Sequence, residues 1–186
     1  GSGVYFGRGD TIVPVAHCYT VTVTHPNGTP FPCHVVTDFG NGCPGPDGHI
    51  RRGKVITDYT NRLLYPGAIA TTTFDGFYID SNHIEGTHKI SNISVYPSNT
   101  PNRVFRVEVI NGKVTRANGN YAEWNSTKTI TQIDGLSTPD LIRDDVFKIE
   151  GSGTGTEHRA TLAVRWESTI TEPLIRRFTC QWIVKG

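Results

Sequence analysis

"TTTFDGFYIDSNHIEGTHKIS", Thr71–Ser91, alternates aromatic or apolar side chains with polar ones on both sides of a polar centre. Such a stretch reads as two antiparallel strands joined by a tight turn, with side chains sent alternately to two faces. A four-residue turn at Asp80-Ser81-Asn82-His83 sets Ile79 opposite Ile84, Phe77 opposite Gly86, Asp75 opposite His88 and Thr73 opposite Ile90. On the other face Tyr78 meets Glu85 and Phe74 meets Lys89. Phe77 would then cover the gap that Gly86 leaves. Asp75 and His88 read as a cross-strand pair. A catalytic dyad is the weaker reading, because no nucleophile stands near.

The same period of two runs outward. From Glu157 to Thr171, Leu162, Val164, Trp166 and Ile170 share one parity, while Arg159, Thr161, Arg165 and Glu167 share the other. That pattern suits one half-buried strand with a wet face. Leu174, Arg176, Phe178, Cys180, Trp182 and Val184 repeat it. Near the start, Val13, Val15, Tyr19, Val21 and Val23 share a parity with His17. Further strands read at 31–39, 51–60, 103–110 and 121–133. Asn111-Gly112 predicts a tight hairpin. "PNGTP" (26–30), "CPGPDG" (43–48), "YPG" (65–67) and "ANGN" (117–120) predict turns. The best helix candidate is a turn or two at 137–145, with Thr138 as cap and Pro139 at the first helical position. The expected fold is all-β: an antiparallel sheet or sandwich of about ten strands with at most one short helix. Residues 1–17 read as an extended N-terminal segment and 18–186 as a single all-β domain.

A chain of 186 residues can bury roughly two-thirds of its unfolded surface. Lys plus Arg number 18 and Asp plus Glu 17, for a net charge of +1. The chain therefore lacks the basic field expected of a nucleic-acid binder. No apolar run reaches the length of roughly 20 residues that a membrane-spanning helix needs. Methionine is missing, and "GSG" at 1–3 reads as a processing or expression scar. The cysteines are Cys18, Cys33, Cys43 and Cys180. None forms a C-x-x-C pair, which favours disulfides in an oxidising compartment over structural zinc. Cys18–Cys43 is the first expected pair, since "CYTVTVTH" and "CHVVTDFG" should form a hairpin around "PNGTP". Cys33 and Cys180 pair only if their strands are neighbours.

Several motifs carry candidate chemistry. Asp38, Asn41 and Asp47 could offer oxygen ligands to calcium, though the same residue types build any long turn. His17, His25 and His34 lie on neighbouring strands but make a weak zinc set. Phe74, Tyr78 and Tyr121 are candidate glycan-binding aromatics. Trp124, Trp166 and Trp182 could add to such a platform, yet Trp166 and Trp182 fall on apolar parities and are expected in the core. Arg8-Gly9-Asp10 spells an adhesion tripeptide. Thr11 sits in a short Asp-Thr-aliphatic pattern that resembles a bacterial O-glycosylation site, and Asn27, Asn92 and Asn125 open N-x-Ser/Thr sequons. No nucleophile elbow, phosphate loop or H-E-x-x-H pattern is present. No enzyme is expected. A carboxylate pair from distant strands would be the one route to a hydrolase.

"DFGNGCPGPDGHIRRGKV" (38–55), "TTTFDGFYIDSNHIEGTHKISN" (71–92), "WNSTKT" (124–129) and "EPLIRRFTCQWIVKG" (172–186) resemble a large family of uncharacterised Bacteroidetes surface or lipoprotein-like proteins. The resemblance covers most of residues 35–186. It implies an exported, β-rich protein and carries over no catalytic residue. "PVAHC" (14–18) departs from a lipoprotein processing site, so no lipid anchor is implied. Members of the family continue beyond the equivalent of Trp182–Gly186, and a chain that stops there would leave an open sheet edge. The expectation is an exported, non-enzymatic surface protein. Its segment before Cys18 would add as a strand to a neighbouring subunit, with Ile12, Val13 and Val15 filling pockets. The alternative is a glycan-binding surface module.

Overall fold

The computed structural model describes residues 18–95, 103–137 and 144–177, and the backbone of 183–185. Twelve strands form one sheet. They are β1 (Thr20–Thr24), β2 (Cys33–Asp38), β3 (Cys43–Pro44), β4 (Ile50–Tyr59), β5 (Ile69–Ile79), β6 (Asn82–Asn92), β7 (Val104–Thr115), β8 (Tyr121–Asp134), β9 (Val146–Arg159), β10 (Leu162–Thr169), β11 (Leu174–Arg177) and β12 (Ile183–Lys185). Every pairing is antiparallel. The path is a meander, β1-β2-β4-β5-β6-β7-β8-β9. β10 and β11 then share the outer side of β9, opposite Ser152–Arg159 and Val146–Ile149 respectively. The all-β expectation holds, as one sheet rather than a two-layer sandwich. Residues 138–143 of the candidate helix at 137–145 lie outside the described residues.

The quoted stretch does form a hairpin, β5–β6, but in a different register. The turn is two residues long, Asp80-Ser81, with Ile79 opposite Asn82 and Tyr78 opposite His83. Asp80 supplies the positive φ of 55° that so tight a turn requires. Farther along, Thr72 lies opposite His88, so the register slips by one residue. The cause is a bulge at Gly76, whose φ is 53°. Phe77 therefore does not lie opposite Gly86, nor Asp75 opposite His88.

A second bulge removes another expected feature. Asn111-Gly112 does not turn the chain; β7 runs through it. Asn111 takes a φ of 50° and becomes the extra residue between the register at Val109 and that at Gly112. A type I′ turn and a bulge both need a left-handed residue, so "NG" alone does not separate them. Each bulge faces a glycine on the preceding strand. A Cβ on Gly53 would strike the Gly76 carbonyl, and one on Gly86 the Asn111 carbonyl at 2.5 Å. Both glycines also have positive φ, at 80° and 108°, so an L side chain is disfavoured there twice over.

The alternating stretch at 157–171 is likewise two strands. Ala160 takes a φ of 50° and turns β9 into β10, with Leu162 opposite Arg159. The parity inverts across the two-residue turn, so Glu157 and Arg159 share a face with Leu162, Val164 and Trp166 instead of opposing them. Trp166 lies on β10 and is 39% exposed, not in a core.

Register sorts the side chains onto two faces. One face carries Asp38 beside Lys54, Lys89 beside Glu108 and Lys113 beside Glu123, with ion pairs at 3.6, 3.8 and 3.4 Å. The opposite face carries an unbroken cross-strand row from β1 to β10: Val23, Val35, Thr57, Thr72, His88, Val109, Ser126, Gly153, Ser168. Beside it run Ala70, Ile90 and Val107, then Phe105, Ile130 and Ile149. Full burial is confined to the two ends of this apolar face. At one end Phe77 is buried against Phe74 and Phe39, and Phe39 meets Tyr19, with ring centroids 5.5–5.7 Å apart. At the other, Leu63 of the 60–68 loop, Ala70 and Asn92 are buried, and Asn92 Nδ2 donates to the Leu63 carbonyl.

Candidate functional site

The polar face concentrates the chemistry. Across its upper end the paired residues run Arg52, Tyr78, His83, Thr115, Tyr121, His158. Two triplets stand out. The Arg52 guanidinium lies 3.9 Å from the Tyr78 ring centre, and His83 stacks on Tyr78 at 4.5 Å. The Lys113 ammonium lies 4.5 Å from the Tyr121 ring centre, and His158 stacks on Tyr121 at 4.3 Å. In each triplet the cation and the imidazole come from strands on opposite sides of the tyrosine. Both ring faces are thus covered. Sugar stacking needs a free ring face, so Tyr78 and Tyr121 offer ligands their edges and hydroxyls instead. The third aromatic of that expected set, Phe74, is on the apolar face against Phe77. The triplets become visible in the sequence only after the bulges are placed, because the bulges set which residues are paired.

A shallow groove of about 1060 Å³ crosses β6–β10. The side chains that line it from the polar face include Glu85, Lys113, Glu123, Asn125, Arg165 and Glu167. Glu85, Lys113, Glu123, Thr156 and Arg165 form one cross-strand row. Charge alternates along the row, and Glu123 also stands 3.8 Å from His158. This is a surface rich in hydrogen-bonding groups, with no nucleophile poised against a base. On the apolar side, Trp124 lies opposite Gly112 and Gly155, and Trp166 opposite Gly155. A Cβ on Gly112 would meet the Trp124 ring, and one on Gly155 the Trp166 ring. The covering of glycine by an aromatic ring does occur, but here rather than at Phe77.

Asp75 and His88 end on opposite faces. Asp75 pairs with Lys54 on the polar face, whereas His88 sits between Thr72 and Val109 on the apolar one. Burial pushes the His88 pKa down, which keeps the imidazole neutral at pH 7.

Cys18 and Cys43 form the expected disulfide, with Cα atoms 5.3 Å apart. Cys33 is a buried free thiol. Its pKa is raised by burial and by the nearby Asp58 charge. β2, which carries Cys33, is near the opposite end of the sheet from β11 and β12; Cys180 itself lies outside the described residues. Two of the three calcium candidates, Asp38 and Asp47, are engaged elsewhere. Asp38 accepts from the Gly40 amide at 2.8 Å and pairs with Lys54. Asp47 holds Arg51 through both carboxylate oxygens, at 3.0 and 2.6 Å, which drives its pKa far below the usual carboxylate range. Asn41 is exposed in the turn after β2. His34 bonds Asp58 at 2.7 Å while His25 bonds the Pro30 carbonyl at 3.1 Å, so the two are spent separately. Among the described residues no group of three or more His, Cys, Asp or Glu gathers as a metal site.

Asp80 holds the loop before β4: its carboxylate accepts from the Ile50 amide at 3.0 Å and meets His49 Nδ1 at 2.8 Å. Those bonds lower its pKa, the Ile50 amide most. Glu157 is held at about 2 by Arg159 and Arg116. Asn92 is 2% exposed, so its sequon is not accessible, while Asn27 and Asn125 are exposed. Thr11, Ile12, Val13, Val15, the Arg8-Gly9-Asp10 tripeptide, His17 and Trp182 lie outside the described residues. Among the described residues no helix is long and apolar enough to cross a membrane. No family model, curated protein or solved structure matches the chain.

Proposed function

We propose that the protein is an exported, non-enzymatic surface protein that assembles with copies of itself by strand addition. The observation that carries this reading is β1, "TVTVT". It is an edge strand of the described sheet, and all five residues are exposed. It holds no charge, no proline and no bulge, the devices by which sheets usually protect an edge. A disulfide suits an oxidising compartment, and the resemblance to Bacteroidetes surface proteins points the same way. The donor is the segment before Cys18, with Ile12, Val13 and Val15 as its anchoring side chains. The acceptor is the β1 edge or the edge near 174–185. Deleting residues 1–12 tests it, read by negative-stain microscopy and light scattering. The intact protein should form chains, and the deletion should end chain growth without loss of the β-type circular dichroism. Unchanged assembly after deletion would reject the donor.

The groove favours a second reading, a glycan-binding module that works through hydrogen bonds rather than ring stacking. An intact protein that stays monomeric at high concentration, yet is retained on a polysaccharide matrix through Glu123 and Arg165, would establish it instead.

A further inference from the structure

The apolar face is large and open. Its middle row of nine residues, from Val23 to Ser168, contains no buried member. Val21, Val23, Val164 and Trp166 are 53, 49, 46 and 39% exposed. The middle row holds no Lys, Arg, Asp or Glu, but Glu157 and Arg159, opposite Val164 and Leu162, and Arg116, bonded to Glu157, put charge at the upper margin of this face. Lys128 carries a charge next to the middle row, and its stem lies along Gly151. The Thr57 and Thr72 hydroxyls satisfy each other at 2.9 Å. That pair tolerates loss of water, because neither hydroxyl would be left unpaired, while Lys128 keeps its ammonium in solvent by its long stem.

Nine strands about 4.8 Å apart and ten residues long at about 3.3 Å each give a face of roughly 1,400 Å². Contiguous apolar surface on a monomer is usually about 300–600 Å². A stable dimer needs roughly 800 Å² from each partner, so a second copy has area to spare even after the two covered ends are set aside. The N-terminal segment is too small for the task. As one strand about 10 Å wide and at most about 60 Å long, residues 1–17 would cover roughly two-fifths of the face. A two-fold interface sets one patch against itself, which like charge resists; the middle row carries no Lys, Arg, Asp or Glu, and at the margin Glu157 stands between Arg116 and Arg159, so both signs are present there.

We propose that two copies pack these apolar faces together as the two layers of a β-sandwich, with the polar faces outward. Aligned sheets about 10 Å apart would interleave the two sets of side chains. The dimer interface is distinct from the edges used for strand addition. It extends the self-association proposed above but needs no donor segment.

Sedimentation analysis over a concentration series tests the dimer. The intact protein should show twice the monomer mass, or multiples of it. Ser126→Lys, on the apolar face, should halve that mass. Thr127→Lys, the next residue and on the polar face, should leave it unchanged. Circular dichroism checks that each variant is folded, and Val23→Lys on the exposed β1 replaces Ser126→Lys if that protein does not fold. Deleting residues 1–12 separates the two modes: chain growth should end while dimers persist. An intact protein that is monomeric overturns the proposal, as does a dimer indifferent to both Ser126→Lys and Val23→Lys. A monomer that dimerises only after the deletion would overturn it too, by assigning the face to the N-terminal segment.

Discussion

The two faces of this sheet hold neighbouring strands together by different physics. On the polar face, strand meets strand through Lys–Glu pairs, stacked Tyr–His pairs and cations over rings. Those groups remain in water, so each contact contributes little, typically less than about 1 kcal/mol. On the apolar face, most contacts are made by shape: rings over glycines, Phe77 wedged among aromatics, threonines bonded to each other, with Glu157 and its two arginines at one margin. There the cost of an error is set by volume and desolvation rather than by charge. The difference teaches where the fold is vulnerable. It should break from the apolar side and tolerate change from the polar side.

The largest expected loss is at the buried aromatic cluster. Phe77→Ala removes a ring that is 5% exposed and touches Phe39 and Phe74. It should cost about 3–5 kcal/mol, as large-to-small aromatic changes in cores do. Urea denaturation measures it, and a loss below about 1 kcal/mol would mean that the cluster does not act as a core. Cys18→Ser comes next. The bridge closes a separation of 25 residues, and the chain-entropy model gives about 3.5 kcal/mol for its loss. The same drop should follow reduction of the intact protein, and an unaltered midpoint under reductant would show that the bridge is not formed in solution.

Gly86→Ala probes the bulges. Its Cβ would meet the Asn111 carbonyl at 2.5 Å and take up a φ of 108°. Overpacking and backbone strain together should cost about 3 kcal/mol. In the register expected from the sequence Gly86 lies under Phe77, where a larger side chain would overpack at roughly 1–3 kcal/mol. A loss under about 1 kcal/mol would count against the bulged register.

His88 gives the comparison a pH axis. Burial lowers its folded pKa, so the unfolded chain binds the proton more readily. Stability is then fully present above the unfolded value of about 6.5 and falls as pH drops through that value toward the folded one. The groups facing His88 are Thr72 and Val109, neither of them charged. His88→Gln should flatten the stability profile just below pH 6.5. A profile equally steep in the variant would move the effect to the carboxylates. Asp80 and Glu157, whose folded pKa values are lowered, keep their stabilising effect above the ordinary carboxylate pKa and lose it as pH falls through their folded values.

Much of this architecture was legible. Period-two patterning identified β2, β4 and β8 to within two residues, together with the start of β7, and hairpin logic alone brought Cys18 to Cys43. What failed did so for one physical reason. Asp80, Asn111 and Ala160 each take a left-handed conformation, and the same conformation makes a two-residue turn or a bulge according to context set by neighbouring strands. A turn longer than the true one misaligned Phe77 and Gly86. A bulge read as a turn ended β7 early. A two-residue turn read as continuous strand fused β9 to β10 and set Glu157 and Arg159 against the wrong face. The candidate site suffered more than the fold, because a one-residue slip moves a side chain to the other face. Asp75–His88 became two residues on opposite faces for that reason. The alternate glycines Gly151, Gly153 and Gly155 were an available signal for flat ground that an aromatic could cover.

The smallest expected effect sharpens the contrast most. Lys89 and Glu108 face each other across β6 and β7 on the polar face, 3.8 Å apart, with Lys89 35% and Glu108 25% exposed. At that distance in water the attraction is about 1 kcal/mol before the entropy of holding two flexible side chains is subtracted. Lys89→Gln keeps the stem that packs on the sheet and removes only the charge. It should cost no more than about 0.5 kcal/mol, and high salt should erase the difference. Its neighbour along the chain, His88, points to the other face, where Thr72 and Val109 leave a charge no partner. His88→Lys moves that same charge one residue along the chain and should cost several times more, with little response to salt. Equal losses at the two positions, read by urea denaturation at low and high salt, would show that the faces differ in composition but not in physics.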